Sequence, residues 1–136
     1  RHDNLQTRIR NVTVTALIVL GAGFAGLAVA LGAFGAHGLE ARLTERALAT
    51  WQTGVQYQFL HAFALLAIAA LWTRLADGWG TTAAVAFVLG ILLFSGSLYA
   101  LALGAPRVLG AVAPVGGTLF ILGWIALAVA ALRSAG

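Results

Sequence analysis

Four polar residues fall within or at the ends of otherwise apolar stretches: His37, Tyr57, His61 and Ser95. His61 is the ionisable one that lies well inside an apolar run, and Tyr57 precedes it by one helical turn, so the two share a helix face. An imidazole there could ligate a metal or haem iron, contact a quinone, or transfer a proton. It could also remain neutral and pack, with a hydrogen bond to Tyr57, Ser95 or a carbonyl of a neighbouring helix.

The composition excludes several classes of protein. Of 136 residues, 61% are hydrophobic and 9% charged, against about 45–50% and about 25% in an ordinary soluble domain. With no cysteine and no lysine, disulfides, thiol nucleophiles, cysteine-ligated metals and lysine Schiff bases are impossible. The eight arginines are scattered, whereas a nucleic-acid partner would require a basic patch. We therefore expect no nucleic-acid partner and a lipid bilayer as the surroundings.

Uncharged runs define the elements that must position these residues. They cover 11–36, 47–73, 78–106 and 108–132, and each exceeds the roughly 20 residues that a membrane-spanning helix needs. The sequence predicts a single all-α membrane domain over 1–136, an antiparallel four-helix bundle with spans at about 12–35, 53–73, 81–103 and 109–132. None of these spans holds an acidic or arginine residue at depth, which argues against a carboxylate-based ion rotor or proton pump.

The segment 38–52 between the first two spans has a different pattern. Its apolar residues recur every three to five positions with charged residues between them, which predicts an amphipathic helix at the interface or at the exposed start of the second span. Trp51 and Trp72 lie ~32 Å apart on a continuous helix. They could therefore mark both rims of the second span as an aromatic belt.

Arginine counts give the orientation. One side of the membrane would carry five arginines and the other three. The first set is Arg1, Arg8, Arg10, Arg74 and Arg133, and the second is Arg42, Arg46 and Arg107. The excess of positive charge predicts that both termini are cytoplasmic, in a bacterial inner membrane.

Glycines in the first span allow two interpretations. Gly21, Gly23 and Gly26 follow a β-branched run in the order G-x-G-x-x-G, the dinucleotide-binding pattern. That pattern requires strand–helix alternation afterwards, and three further membrane-length segments follow instead. We interpret the glycines as positions of close helix approach. The predicted helix-packing set is Gly23, Gly26, Gly32, Gly35, Gly96, Gly116 and Gly117.

Four motifs together resemble one protein family. They are GAFGAHGL at 32–39, WQTGVQYQFLHA at 51–62, FSGSLY at 94–99 and PVGGTLFILGW at 114–124. In this order they resemble the family catalogued as domain of unknown function 423, which includes small bacterial inner-membrane proteins and transmembrane protein 256 of animals. The resemblance implies four-helix integral membrane proteins. It carries no catalytic or ligand residue onto His37, Tyr57 or His61.

The leading hypothesis for function is a non-catalytic accessory, assembly or stabilising subunit of a larger membrane complex, with no cofactor or metal and with other integral membrane proteins as partners. Loops too short for a soluble catalytic domain support it. A small transporter or channel is the alternative, with the His61–Tyr57 face and a helix break at 114–117 forming a polar path. A third hypothesis is a haem- or quinone-binding redox protein that uses His37 and His61.

Overall fold

Four long helices make up a computed structural model that describes residues 2–135. They are α1 (His2–Leu39), α2 (Glu45–Ala70), α3 (Asp77–Ala102) and α4 (Arg107–Ala135), and each is long and apolar enough to cross a membrane. Short connections at 40–44, 71–76 and 103–106 reverse the chain between them. The predicted all-α, four-helix architecture is confirmed, and Arg1 lies outside the described residues.

The helices begin earlier than the predicted spans. α1 starts at His2, and its 38 residues would extend ~57 Å, against about 30 Å of hydrocarbon. Of the two alternatives for the segment 38–52, the structure shows the exposed start of the second span and no separate interfacial helix. Residues 38–39 end α1, 40–44 form a turn, and 45–52 are the first two turns of α2. Thr44 caps α2 by accepting the Ala47 N–H at 3.1 Å. The uncharged runs therefore predict the apolar part of each helix, but they do not predict where the helix begins.

Packing follows the order of the chain. α1 lies along α2, α2 contacts mainly the second half of α3, and α3 lies along α4. One buried cluster joins all four helices around Leu65, Phe87 and Phe120, and Leu17 is its buried member from α1. A second joins the end of α1 to the start of α2 around Leu39 and Trp51. The two clusters leave much of α1 uncovered by the rest of the chain.

Glycines permit the close approach of α3 and α4. A Cβ at Gly116 would collide with the backbone of Phe94. One at Gly123 would lie 2.6 Å from the Phe87 ring, closer than real carbon atoms approach. These positions allow two helix backbones to meet with little between them, as is usual where apolar burial cannot drive association in lipid.

Two helices contain a π-helical turn. One covers Gly35–Leu39 at the end of α1, and the other covers Ile91–Ser95 within α3. Such turns change the phase of the helix by one residue and are frequent at functional sites. The second turn places Phe94 against α4 and Ser95 against α2.

No helix break occurs at 114–117. Pro114 is the third residue of the α-helical stretch Val112–Ala135, which directly follows the 3-10 turn Arg107–Ala111 at the start of α4, and proline is tolerated in the first turn of an α-helix. The expected loosening of the fourth span at this point is therefore wrong. The glycines of the G-x-G-x-x-G pattern likewise lie in the continuous α-helix His2–Phe34 and form no phosphate-binding loop.

Candidate functional site

A histidine–tryptophan pair joins α2 to α4. His61 is 3% exposed; its Nδ1 lies 2.7 Å from the Tyr57 carbonyl oxygen and its Nε2 lies 3.1 Å from Trp124 Nε1. A carbonyl only accepts and an indole N–H only donates. Nδ1 must therefore carry the proton and Nε2 must accept, which defines a neutral imidazole in one tautomer. Protonation of Nε2 would remove the hydrogen bond from Trp124.

Aromatic rings surround this imidazole. Phe120 stacks on it with ring centroids 3.6 Å apart and planes 10° from parallel. Phe87 lies at 5.3 Å, and the Tyr57 ring lies roughly parallel at 6.2 Å. Rings on three helices thus fix the orientation of His61, so that its nitrogens keep the same two partners.

A groove of about 510 Å³ opens beside the pair, between α2 and α4. Tyr57 and His61 line it on one side, and Pro114, Thr118 and Trp124 line it on the other. Trp124 is 46% exposed, so the groove faces the outside of the chain. It is a recess on the outer face of the helices, lined mainly by apolar and aromatic side chains, with Tyr57, His61 and Thr118 as its polar ones.

A set of buried or half-buried hydrogen bonds connects α2 to α1 and to α3. Gln58 is 2% exposed and donates from Nε2 to the Phe24 carbonyl at 2.8 Å, while its Oε1 accepts the Tyr99 hydroxyl at 2.7 Å. One turn earlier, the Ser95 hydroxyl donates to the Gly54 carbonyl at 2.7 Å. These bonds tie α2 to both of its neighbours near the second π-helical turn.

Trp51 adds another tie between α1 and α2. Its indole N–H donates to the Leu31 carbonyl at 2.9 Å, close to the first π-helical turn. Trp51 is 3% exposed and Trp72 is 7% exposed. Both indoles therefore pack inside the protein, and that they mark the two rims of the second span stays a prediction.

The structure separates the four polar residues singled out from the sequence. Tyr57 and His61 are in ring contact, as predicted from their spacing. Ser95 bonds Gly54 and not His61. His37 is exposed on the π-helical turn of α1, and the hydrogen bonds and ring contacts recorded for His61 within residues 2–135 do not include it. A functional role for any of the four stays a prediction.

The seven glycines of the predicted packing set fall into two groups. A Cβ at four of them would meet another helix; these are Gly32, Gly35, Gly116 and Gly117. At the other three, a Cβ would find no heavy atom within 4 Å; these are Gly23, Gly26 and Gly96. Any packing role of the second group therefore requires a molecule outside this chain.

The burial of Gln58 could have been predicted from the sequence, whereas the pairing of Trp124 with His61 could not. Gln58 follows the buried Trp51 by seven residues, two helical turns, so both lie on one face. Nothing in the sequence pairs Trp124 with His61, 63 residues away.

Comparison with known proteins agrees with this architecture. The family model described as "Protein of unknown function (DUF423)" matches residues 31–117. The UPF0382 membrane protein YwdK of Bacillus subtilis is 50% identical over 117 residues, which cover 85% of this chain and 95% of that protein. A UPF0382 membrane protein of Haemophilus influenzae is 47% identical over 106 residues, 78% of this chain and 85% of its own length.

A third relative, the UPF0382 membrane protein SERP0230 of Staphylococcus epidermidis, is 46% identical over 121 residues, 88% of this chain and 97% of that protein. No solved structure matches the chain. The family resemblance drawn from the four sequence motifs is confirmed. The chain belongs to the DUF423 family of proteins of unknown function, and these three relatives are named UPF0382 membrane proteins.

Proposed function

We propose that this protein is a non-catalytic accessory, assembly or stabilising subunit of a larger membrane protein complex. The observation that carries the proposal is the pairing of its interior polar groups. Four polar residues are buried, namely Gln58, His61, Ser95 and Ser97, and each has a hydrogen bond within the chain. Among residues 2–135, no buried side-chain nitrogen or oxygen lacks a partner.

Paired interior groups favour a structural role. A transporter or an enzyme needs donors or acceptors that are free to meet a substrate, whereas a hydrogen bond between two helices in lipid mainly holds them together. The hydrogen bonds of Gln58 to α1 and α3 hold helices together in this way. What remains available for function is then the outer surface of the helices.

The outer face of α1 is suited to another helix. In the most apolar 18-residue window of each helix, 17% of the residues of α1 are buried, against 50% in α2. Gly23 and Gly26 lie on this helix with open space where a side chain would be. Small residues at such positions let a second helix backbone approach closely, so we place the contact with a partner here.

The arginines support a cytoplasmic position for both termini. Among residues 2–135, four arginines lie on the side of the termini: Arg8, Arg10, Arg74 and Arg133. Three lie on the other side: Arg42, Arg46 and Arg107. The excess favours a cytoplasmic first side by the positive-inside rule, and we propose the bacterial inner membrane as the location.

Bulky replacements on α1 test the association. We expect Gly23→Leu and Gly26→Leu to lower the amount of copurifying partner per chain after mild solubilisation from native membranes. Gly110→Leu is the matched control, because a Cβ there also meets no atom and the residue lies in the 3-10 turn that begins α4. Equal partner recovery from all three variants would contradict a contact on α1, and the absence of any stoichiometric partner of the unmodified chain would contradict the proposal itself.

The groove of about 510 Å³ beside Tyr57 and His61 favours one alternative, a small transporter or channel. Purified protein in liposomes would then show ion or solute flux that His61→Ala abolishes. The third hypothesis, a haem or quinone site that uses His37 and His61, has no comparable support, because His37 is exposed on α1 and both nitrogens of His61 are engaged. A colourless preparation without a Soret band would count against haem.

A further inference from the structure

Two cavities adjoin each other near the N-terminal end of α1. A pocket of about 500 Å³ lies at the N-terminal end of α1, beside the α2–α3 connection and the start of α3. A groove of about 400 Å³ lies between α1 and α3. Thr13, Trp72 and Thr81 line both, so the two form one continuous surface.

The pocket and the groove have opposite chemistry. The pocket is lined by charged, amide and hydroxyl side chains together with Ile9 and Leu75, and the groove beyond the shared residues is lined by aliphatic ones. Asp3, Arg10, Thr73 and Asp77 belong to the pocket. The groove is lined by Val12, Ala16, Leu17, Leu20, Ala84, Val85, Val88 and Leu89. A polar head that continues into an apolar slot fits an amphiphile oriented along the helices.

The groove has the length of one lipid leaflet. From Val12 to Leu20 on α1 it extends ~12 Å along the helix axis, and half of the hydrocarbon core is about 15 Å. The groove exists because α1 packs along α2, with few contacts to α3. The space between α1 and α3 is thus left for an acyl chain.

The charges of the pocket select the headgroup. Two carboxylates, Asp3 and Asp77, accompany one guanidinium, Arg10. The Thr13 and Thr81 hydroxyls each donate to a carbonyl of their own helix at 3.0 Å, so what they offer a ligand is oxygen lone pairs. The pocket therefore supplies several acceptors for a cationic group and one cationic partner for a phosphate.

We propose that this surface binds one zwitterionic phospholipid whose headgroup carries a primary ammonium, as in phosphatidylethanolamine. The ammonium lies between Asp3 and Asp77, the phosphate lies at Arg10, and one acyl chain fills the groove between α1 and α3. An anionic headgroup without an ammonium, as in phosphatidylglycerol, would leave both carboxylates unpaired next to its own negative charge. The site is separate from the subunit function proposed above, and its test measures lipid and not protein partners.

The experiment places the full chain in bilayers with equal amounts of phosphatidylethanolamine and phosphatidylglycerol. After extraction, native mass spectrometry counts the lipids that stay bound to each chain. We expect one retained lipid, predominantly phosphatidylethanolamine. Asp3→Asn and Asp77→Asn should each lower the ratio of retained phosphatidylethanolamine to retained phosphatidylglycerol by about threefold. This is the scale of the loss of a solvent-exposed ion pair.

A groove-filling variant tests the acyl-chain position. Ala16→Trp places an indole in the groove and should remove the retained lipid. Ala22→Trp is the matched control, an exposed alanine on another face of the same helix, and should keep it. The proposal is overturned if retained lipid follows the bilayer composition, or if the two tryptophan variants retain the same amount while both remain helical and monodisperse.

Discussion

Replacing Gln58 should destabilise the protein, because this side chain is hydrogen-bonded to both helices that neighbour α2. Gln58→Leu keeps the side-chain size but removes the bonds to the Phe24 carbonyl and the Tyr99 hydroxyl. Hydrogen bonds between membrane helices average about 0.6 kcal/mol, and the half-buried Tyr99 hydroxyl would lose its partner, which costs about 1 kcal/mol. We expect the free energy of unfolding to fall by about 2 kcal/mol.

The assay is equilibrium unfolding in mixed micelles, followed by the loss of helix. Gln56→Leu is the control, because Gln56 is exposed on the same helix and should change stability little. A double-mutant cycle with Tyr99→Phe isolates one bond, and we expect a coupling energy of about 0.6 kcal/mol and no more than about 1.7 kcal/mol. Equal effects of the two glutamine variants, with no coupling to Tyr99, would refute a bridging role for Gln58.

Three further outcomes follow from the packing. Gly116→Ala forces a Cβ into the backbone of Phe94 and should cost about 1–3 kcal/mol in the same unfolding assay; an unchanged midpoint would show that α3 and α4 are farther apart. Gly23→Ala meets no atom and should leave the chain unchanged or up to about 1 kcal/mol more stable; a loss of stability would contradict the open face. Trp124→Phe removes the donor to His61 Nε2 and should cost about 0.6 kcal/mol, whereas no effect would place the indole elsewhere.

The four helices could be predicted because the absence of charge over more than 20 residues has one main physical cause, the cost of placing ions in hydrocarbon. Helix ends could not be predicted in the same way. Backbone hydrogen bonds continue into water, so α1 reaches back to His2 and α2 to Glu45. The π-helical turns Gly35–Leu39 and Ile91–Ser95 had no marker in the sequence that separates them from ordinary helix.

Within the candidate site, the sequence could predict only contacts between residues of the same helix. Tyr57 and His61 share a face through their spacing of four residues, and the structure shows them in ring contact. The partner of His61 depends on where α4 lies relative to α2, and α4 packs mainly along α3. Its position along α3 is set by close contacts such as Gly116 against Phe94, which arise only after the helices pack, and so Trp124 could not be assigned to His61 from the sequence.

The most direct test of the central claim is the native mass of the protein, released gently from its own membranes at its natural expression level, with every copurifying chain identified. An accessory subunit should be recovered in a larger assembly with a second protein at a fixed ratio. Recovery as a single chain, or only with copies of itself, would contradict the proposal and direct attention to the groove beside His61 as the working surface of a self-contained transporter.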